Sequence, residues 1–310
     1  MRILVTGASG LLGLNLALEA AKEHTVIGLV SRHRLKTDAF QTIEGDLLTP
    51  GIIETLLERT HPDWVIHCAA MVMLEECEAN PALAAQLNTE VPRILATHVA
   101  RGGARLLHVS TDAVFDGLKG NYTETDPPQP LSVYASTKLS GEQAVAEADP
   151  DALIARVNLF GWSMSGTRSL AEFFFNNLSA IKRVPGFTDI YFCPLLANDL
   201  AHILIRLLTM KVSGLYHVVS SDCLSKYEFG VRLAEKFGLD ASLIAPQSVA
   251  GSGFKAARSL NLTLKTDKLA RTLGNPPPNV AAGLDHLYGL YQDGFPEKIR
   301  RMAAVAENAE

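Results

Sequence analysis

The first thirteen residues constrain the fold more than any other stretch of the chain. Residues 2–6 (RILVT) form a short apolar run rich in branched side chains, which is typical of a strand buried on both faces. Three glycines, Gly7, Gly10 and Gly13, follow, and a helical pattern continues from Leu14. A strand, a glycine turn and a helix in this order predict the first unit of a Rossmann-type parallel sheet.

The glycine turn has the spacing of a dinucleotide-binding fingerprint. Gly7 permits the tight turn, Gly10 lets the backbone approach a pyrophosphate, and Gly13 lets the helix pack closely on the strand. The free N–H groups at the start of the helix would face the phosphates. The alternative is a turn that binds nothing. The residues that we assign here to cofactor binding are Gly7, Ser9, Gly10, Leu11, Leu12 and Gly13.

The residues after the second predicted strand, 25–30, bear on the choice of cofactor. An NAD site usually places Asp or Glu at this point to bind the ribose 2′-hydroxyl. This chain instead has Ser31-Arg32-His33-Arg34, and cations beside a hydroxyl suit a 2′-phosphate. We therefore expect NADP(H) to be favoured over NAD(H), with Ser31 and Arg32 as contacts. The alternative is a solvated basic loop.

Two further strand ends supply predicted cofactor contacts. Asp46 and Leu47 follow a short strand, and Asp46 could accept a hydrogen bond from the adenine amino group. Residues 62–70 (PDWVIHCAA) predict a buried strand that ends in small side chains, where open α/β sheets bind ligands. The contacts expected there are Cys68, Ala69 and Ala70. Asn88 lies on the apolar side of the next helix, where it either satisfies buried backbone groups or faces the active site.

The candidate catalytic side chains lie between residues 108 and 142. Thr111 falls at the end of a predicted strand, where its hydroxyl could donate to a carbonyl oxygen. Tyr134 and Lys138 are four residues apart in a helical pattern and therefore share one helix face. A nearby ammonium favours the phenolate, so we expect Lys138 to lower the pKa of Tyr134 and allow proton exchange near neutral pH. The alternative is a solvent-exposed pair.

Four segments, TGASGLLG, HCAA, STDAVFDG and VYASTK, resemble those of extended short-chain dehydrogenases/reductases (SDR). STDAVFDG together with PLSVYASTKLSGE is most similar to the dTDP-4-dehydrorhamnose reductase group of sugar-nucleotide reductases. The resemblance implies that Thr111, Tyr134 and Lys138 are the catalytic triad, with Asn88 beside them and with Tyr134 and Lys138 also contacting the cofactor. It implies reduction of a nucleotide-linked 4-keto-6-deoxy sugar by NAD(P)H, in which Tyr134 protonates the ketone oxygen.

The resemblance also indicates substrate contacts. Glu75 takes the place of an acidic residue in the loop after the HCAA-like strand, and Asp112 follows the catalytic threonine. Arg258 corresponds to an arginine of a basic substrate loop and is the candidate for binding a diphosphate. Trp162 leaves a predicted strand toward the cleft, where it could stack on a nucleotide base. Ala113 departs from the tyrosine usual in this group, and it lies where the sugar would sit.

Two other functions are compatible with these residues. An epimerase of the same fold would retain its cofactor and cause no net oxidation of added NADPH. A non-catalytic NADP-binding regulatory subunit would bind the dinucleotide and regulate a partner enzyme. The intact Thr111, Tyr134 and Lys138 favour catalysis.

The predicted fold class is α/β, with a Rossmann-type doubly wound parallel sheet and a smaller, irregular α/β substrate lobe. We assign residues 1–160 to the NADP-binding domain, with residues 190–222 returning to it. Residues 161–189 and 223–293 form the predicted substrate lobe, and residues 294–310 a peripheral tail.

Composition and charge limit the classes of partner. A net charge of −5 gives no reason to expect nucleic acid or an anionic membrane. No apolar run approaches the roughly 18 residues of a membrane span. The four cysteines are scattered without a CxxC pair, which predicts buried thiols in a reducing cytosol and no metal site. We expect a cytoplasmic protein, and a homodimer is compatible with the sequence.

Overall fold

A computed structural model describes residues 1–31, 33–250 and 259–303. The predicted contacts Arg32 and Arg258 therefore lie outside the described residues. The strands are β1 (Arg2–Thr6), β2 (Thr25–Val30), β3 (Gln41–Glu44), β4 (Trp64–His67), β5 (Arg105–Thr111), β6 (Leu153–Val157), β7 (Leu159–Phe160), β8 (Val184–Phe187), β9 (Tyr191–Phe192), β10 (Leu195–Leu196), β11 (Gly214–Val218), β12 (Leu224–Ser225) and β13 (Ile244–Gln247).

The α-helices alternate with these strands through the first half of the chain. They are α1 (Leu11–Ala20), α2 (Ile52–Thr60), α3 (Leu74–Ala79), α4 (Pro81–Ala85), α5 (Val91–Gly102), α6 (Val133–Ala148), α7 (Leu170–Ser179), α8 (Ala197–Thr209), α9 (Lys226–Phe237), α10 (Asp267–Leu273), α11 (Val280–Gln292) and α12 (Phe295–Arg300). A π-helical turn, Gln86–Glu90, joins α4 to α5.

Seven parallel strands form the central sheet, in the order β11-β6-β5-β4-β1-β2-β3. The chain runs outward from β1 to β3, then crosses back to β4 and runs outward in the other direction. This reversal creates a topological switch point between β1 and β4, where open α/β sheets bind ligands. The doubly wound Rossmann-type fold predicted from the sequence is confirmed.

Helices cover both faces of the sheet because successive strand residues point to opposite sides. Ile3 and Val5 of β1 pack on the side of α1 and α8, whereas Leu4 packs on the side of α2, α5 and α6. Both faces are therefore apolar, which explains why the strands appear as continuous hydrophobic runs in the sequence.

Outside the central sheet, the strands form pairs whose members are two to four residues long. β7 pairs with β10, β8 with β13 and β9 with β12, whereas β11 joins the central sheet beside β6. The C-terminal segment is less peripheral than the sequence suggested. Ile299 is fully buried, and Leu35 forms an isolated bridge with Ala303. Residues 294–303 therefore pack against the rest of the protein, because burying their apolar side chains is favourable.

A disulfide joins Cys193 to Cys223. Cys193 directly follows β9 and Cys223 directly precedes β12, and these two strands are antiparallel partners. The expectation of four thiols is therefore wrong for this pair, because strand pairing brings together two cysteines that the sequence separates by 30 positions. Cys68 and Cys77 are free. Within the described ranges, no helix has the length and hydropathy required to cross a membrane.

Candidate active site

The glycine turn after β1 has the geometry that a dinucleotide site requires. Gly7 has a φ of +68°, and a Cβ on it would lie 2.8 Å from the backbone nitrogen of Ala69. A Cβ on Gly13 would lie 2.1 Å from the carbonyl oxygen of Gly7. Gly10 precedes the first residue of α1, so the N-terminal N–H groups of α1 lie beside the turn. The turn therefore fits a pyrophosphate held by backbone at a helix N-terminus.

Of the residues that we assigned to the adenosine end of the cofactor, Ser31 and Asp46 are exposed and Leu47 is buried. Ser31 is exposed after β2, and the nearby cation Arg34 pairs with Glu44 at 3.0 Å. Asp46 is exposed and accepts a hydrogen bond from the backbone N–H of Leu48 at 3.0 Å. Leu47 packs its side chain into the core, so only its backbone could contact a cofactor.

Thr6 links the glycine turn to the end of β4. Its Oγ1 accepts a hydrogen bond from the backbone N–H of Ala69 at 3.3 Å and lies 2.8 Å from Nδ1 of His67. Cys68, Ala69 and Ala70 are partly buried at the switch point of the sheet. Burial raises the pKa of the Cys68 thiol to about 12, against the opposing effect of Lys138, so this thiol remains protonated.

Asn88 has a structural role rather than the cofactor contact that we assigned to it. Its Oδ1 accepts from the backbone N–H of Met71 at 2.9 Å, and its Nδ2 donates to the Met71 carbonyl at 3.0 Å and to Thr137 Oγ1 at 3.1 Å. The side chain is buried and its amide is satisfied by these contacts. Asn88, which lies within the π-helical turn, thus fixes the loop after β4 against α6.

The structure brings Thr111, Tyr134 and Lys138 together at the carboxyl end of β5. Thr111 is the last residue of β5, and its hydroxyl interacts with the Tyr134 phenol closely enough to affect its pKa. Tyr134 lies in the first turn of α6, which Ser132 caps by accepting from the Ala135 N–H at 3.2 Å. Lys138 lies one turn later and is buried.

The electrostatics of the pair differ from the sequence expectation. Burial raises the pKa of Tyr134 to about 12; the nearby Thr111 hydroxyl opposes this shift, and the charge of Asp112 adds to it. The ammonium of Lys138 donates to the carbonyl of Val109 at 2.7 Å rather than to the phenol. The net shift is therefore opposite to the predicted one, because burial outweighs any lowering by Lys138, whose ammonium is directed at β5.

Lys138 is itself perturbed. Burial lowers its pKa to about 8, and the negative charge of Glu142 opposes this shift. At neutral pH the phenol is thus protonated and the amine is mostly charged. That combination suits Tyr134 to donating a proton rather than to removing one.

Asp112 adds an acid to the reactive cluster. Its Oδ1 accepts from the Thr111 hydroxyl at 3.2 Å and its Oδ2 from Asn158 Nδ2 at 2.6 Å. Burial raises the pKa of Asp112 to about 6 despite these hydrogen bonds. Asn158 escaped the sequence analysis, although it directly follows β6 and the same strand-end argument could have found it.

Two predicted substrate contacts have different surroundings. Glu75 is exposed in α3, where its carboxylate is available to a ligand. Trp162, in contrast, is only 1% exposed, and its Nε1 donates to the Leu287 carbonyl at 3.2 Å. Its ring packs edge-on against Phe175 and beside Tyr291. The assignment of Trp162 to base stacking is wrong, because helices of the lobe enclose the indole in the core.

A buried network of hydrogen bonds and an ion pair, which the sequence analysis missed, joins α6 to β5 and β6. Glu142 of α6 accepts from Arg156 of β6, through Nε at 2.9 Å and Nη2 at 2.7 Å, and from Ser110 of β5 at 2.5 Å. The Arg156 guanidinium also lies 4.9 Å from the ring centre of Phe115. No local spacing links these residues, so only the continuous apolar run of β6, broken at Arg156, could have signalled them.

The fold and these side chains define a Rossmann-type α/β protein of the SDR class, with a threonine, a tyrosine and a lysine at the carboxyl edge of its sheet. The chain belongs to the RmlD substrate binding domain family, whose family model matches residues 1–292. The resemblance identified from the sequence motifs is confirmed.

Some relatives are named as reductases, and others are named as a subunit of methionine adenosyltransferase. The chain is 33% identical to the probable low-salt glycan biosynthesis reductase Agl14 of Haloferax volcanii, over 94% of this chain and 99% of that protein. It is 34% identical to dTDP-4-dehydrorhamnose reductase of Mycobacterium tuberculosis, over 83% of each. It is also 32% identical to methionine adenosyltransferase 2 subunit beta of Mus musculus, over 88% of this chain and 82% of that one.

Solved structures share the whole fold. A dTDP-4-dehydrorhamnose reductase from Clostridium acetobutylicum has a TM-score of 0.81 at 26% identity, covering 94% of this chain and 100% of that one. Two other structures with this fold were solved in complex with NADP and with UDP-glucose and NAD together. At 24% and 20% identity, these complexes show the fold alone.

Proposed function

We propose that this protein is an NADPH-dependent reductase of a nucleotide-linked 4-keto-6-deoxy sugar, similar to dTDP-4-dehydrorhamnose reductase. The observation that carries the proposal is that Thr111 ends β5 while Tyr134 and Lys138 lie one turn apart on α6, with Lys138 bonded to β5 through the Val109 carbonyl. Two relatives named as reductases, at 33% and 34% identity, support it. A cytoplasmic location and a homodimer remain predictions.

The glycine turn and the strand ends would hold the cofactor. The backbone of Gly7, Gly10 and Gly13 with the start of α1 suits the pyrophosphate, and the residues after β2 suit the adenosine end. A reduced nicotinamide dinucleotide supplies a hydride when bound. NADP is favoured over NAD because Ser31 and a cationic loop follow β2, where an NAD site would place an acid. Fluorescence titration with NADPH and NADH tests this, and tighter binding of NADH would contradict it.

The chain's own groups would handle the proton and the carbonyl. The Thr111 hydroxyl can turn from Asp112 to the ketone oxygen and orient it. Tyr134 donates its phenolic proton to that oxygen as the carbon gains the hydride, which gives the alcohol. The charged Lys138 stabilises the phenolate that remains, since an opposite charge nearby favours the ionised form.

Loss of NADPH absorbance on a panel of nucleotide-linked keto sugars tests the reaction. Tyr134→Phe removes the proton donor and should lower kcat by about 10²–10⁴-fold. Full turnover by Tyr134→Phe would contradict the assignment. Sugar epimerisation without net oxidation of NADPH would indicate the epimerase alternative.

A second candidate is a regulatory subunit that binds NADP and controls a partner enzyme. It is favoured by the 32% identity to methionine adenosyltransferase 2 subunit beta over 88% of this chain. The retained Thr111, Tyr134 and Lys138 favour catalysis instead. Tight NADP binding without turnover on the panel, together with a co-purifying enzyme, would support the regulator.

A further inference from the structure

Two histidines lie side by side beneath the candidate active site, and the proposed reaction uses neither. His67 of β4 and His108 of β5 are paired in register, and their ring centres are 5.4 Å apart in a stacked arrangement. Neither side chain is more than 1% exposed. Burying a polar ring costs free energy unless its nitrogens form hydrogen bonds. The contacts of the two rings therefore indicate their role.

His108 faces the buried amine. Lys138 Nζ lies 3.4 Å from His108 Nε2 and 2.7 Å from the Val109 carbonyl oxygen. A charged ammonium has three N–H donors and no acceptor, so a ring nitrogen that faces it must accept. His108 therefore carries its proton on Nδ1 while Lys138 is charged. Two of the three donors of Lys138 are then held by adjacent residues of β5, and one remains for the cleft.

His108 stays neutral across the range in which Lys138 titrates. Burial holds the pKa of His108 well below its usual value, and the charge of Lys138 lowers it further. Burial likewise lowers the pKa of His67 to about 3. An imidazole that does not become charged can serve as an acceptor at every pH near neutrality.

Other ionisable groups also face the amine. Tyr134 and Glu142 lie on its own helix, and Cys68 and His67 lie at the end of β4. Only Glu142 and Cys68 act to raise the pKa of Lys138, and the Cys68 thiol is protonated below about pH 12. Glu142 is already engaged by Arg156. His108 is therefore the neighbouring side chain that contacts the ammonium.

We propose that His108 is a positioning residue, whose Nε2 lone pair, together with the Val109 carbonyl, fixes the Lys138 ammonium against β5 and leaves one N–H for the cleft. Its effect on Lys138 is independent of any substrate. Its effect on turnover rests on the proposed reductase function.

The titration of Lys138 tests the inference directly. The protein is produced with isotope-labelled lysine, the ε-carbon signal of Lys138 is assigned with Lys138→Arg, and the signal is followed by NMR as pH changes. His108→Leu removes the acceptor with little change in volume, and His108→Met serves if the leucine variant does not fold. Either should lower the pKa of Lys138 from about 8 by about one pH unit, a tenfold change in the protonation equilibrium, since an acceptor favours the charged form.

Two variants separate the hydrogen bond from general packing. His108→Gln keeps an acceptor near the position of Nε2 and should restore the titration of the wild type. His67→Gln is the matched control, because its Nδ1 lies 2.8 Å from Thr6 Oγ1 and, among the described residues, no hydrogen bond joins its ring to Lys138. An unshifted titration in His108→Leu and His108→Met would overturn the inference, and so would an equal shift in His67→Gln.

Kinetics then connects the residue to the reaction. In the NADPH oxidation assay, the basic limb of the pH profile of kcat should move to lower pH in His108→Leu and return in His108→Gln. A shifted lysine titration without turnover in any variant supports the role of His108 and rejects only the proposed function. A shifted titration with an unmoved basic limb overturns the kinetic part of the inference.

Discussion

Replacing Glu142 by glutamine should destabilise the protein strongly, because it breaks a buried ion pair beneath the helix that carries Tyr134 and Lys138. The side chains of Arg156 and Glu142 are 3% and 6% exposed. Arg156 donates to both carboxylate oxygens. The glutamine amide can accept at only one oxygen and leaves the guanidinium charge buried without a counterion.

The size of the effect follows from that burial. Removing one partner of a buried ion pair costs about 3–5 kcal/mol. For a chain of 310 residues, about 2.1 cal/mol/K per residue gives an unfolding entropy of about 0.65 kcal/mol/K. The unfolding midpoint should therefore fall by about 5–8 °C. Glu147 is exposed on the same helix, so Glu147→Gln should change the free energy of unfolding by less than about 0.5 kcal/mol.

Thermal and urea unfolding, followed by circular dichroism, measure the difference. The triple variant Ser110→Ala/Glu142→Met/Arg156→Met removes every partner at once and should be more stable than Glu142→Gln, because no charge or hydroxyl stays unpaired. A loss in Glu142→Gln no larger than that in Glu147→Gln would refute the reasoning. A triple variant less stable than Glu142→Gln would refute it as well.

Two further predictions concern the glycine turn and the disulfide. Gly13→Ala places a Cβ 2.1 Å from the backbone oxygen of Gly7 and should weaken NADPH binding at least about tenfold (about 1.4 kcal/mol) in a fluorescence titration, whereas Gly289→Ala, which has open space around its Cβ, should leave Kd unchanged. Reduction of Cys193–Cys223, at a sequence separation of 30, should cost about 3–4 kcal/mol of unfolding free energy. The Cys193→Ser/Cys223→Ser protein should not respond to reductant, and a wild type equally indifferent to it would count against a stabilising disulfide.

Features that depend on local geometry could be predicted from the sequence. Within the turn itself, Gly7 needs glycine for its positive φ and Gly13 for its close approach to the Gly7 carbonyl. The spacing of Tyr134 and Lys138 is a property of any helix. Thr111 joined them because the carboxyl ends of parallel strands meet at one edge of the sheet. Each of these arguments rests on local backbone geometry, on the helical period or on the position of a strand end. None of the three requires knowledge of which distant residues are in contact.

Features that depend on distant partners could not be predicted. The position of Trp162 just after a strand predicted that it faces the cleft. In the structure, residues far along the chain, such as Tyr291, enclose its ring. Cys193 pairs with Cys223 because two strands of two residues each lie together, and strands so short have no recognisable pattern. The pKa of Tyr134 follows from its burial, which the presence of a lysine one turn away does not reveal.

The attachment of α6 explains why the reaction type is easier to infer than the substrate. A Cβ on Gly141 would lie 2.2 Å from the backbone oxygen of Asn88, so α6 packs directly on the π-helical turn, and Glu142 ties the same helix to β5 and β6. These tethers hold the reactive side chains on the rigid sheet. Glu75 and Ala113 instead lie on a short helix and a single 3₁₀ turn. Because their backbone carries no part of the Glu142–Arg156–Ser110 network, we expect substitutions at these predicted substrate contacts to change the sugar that fits while the proton donor stays in place.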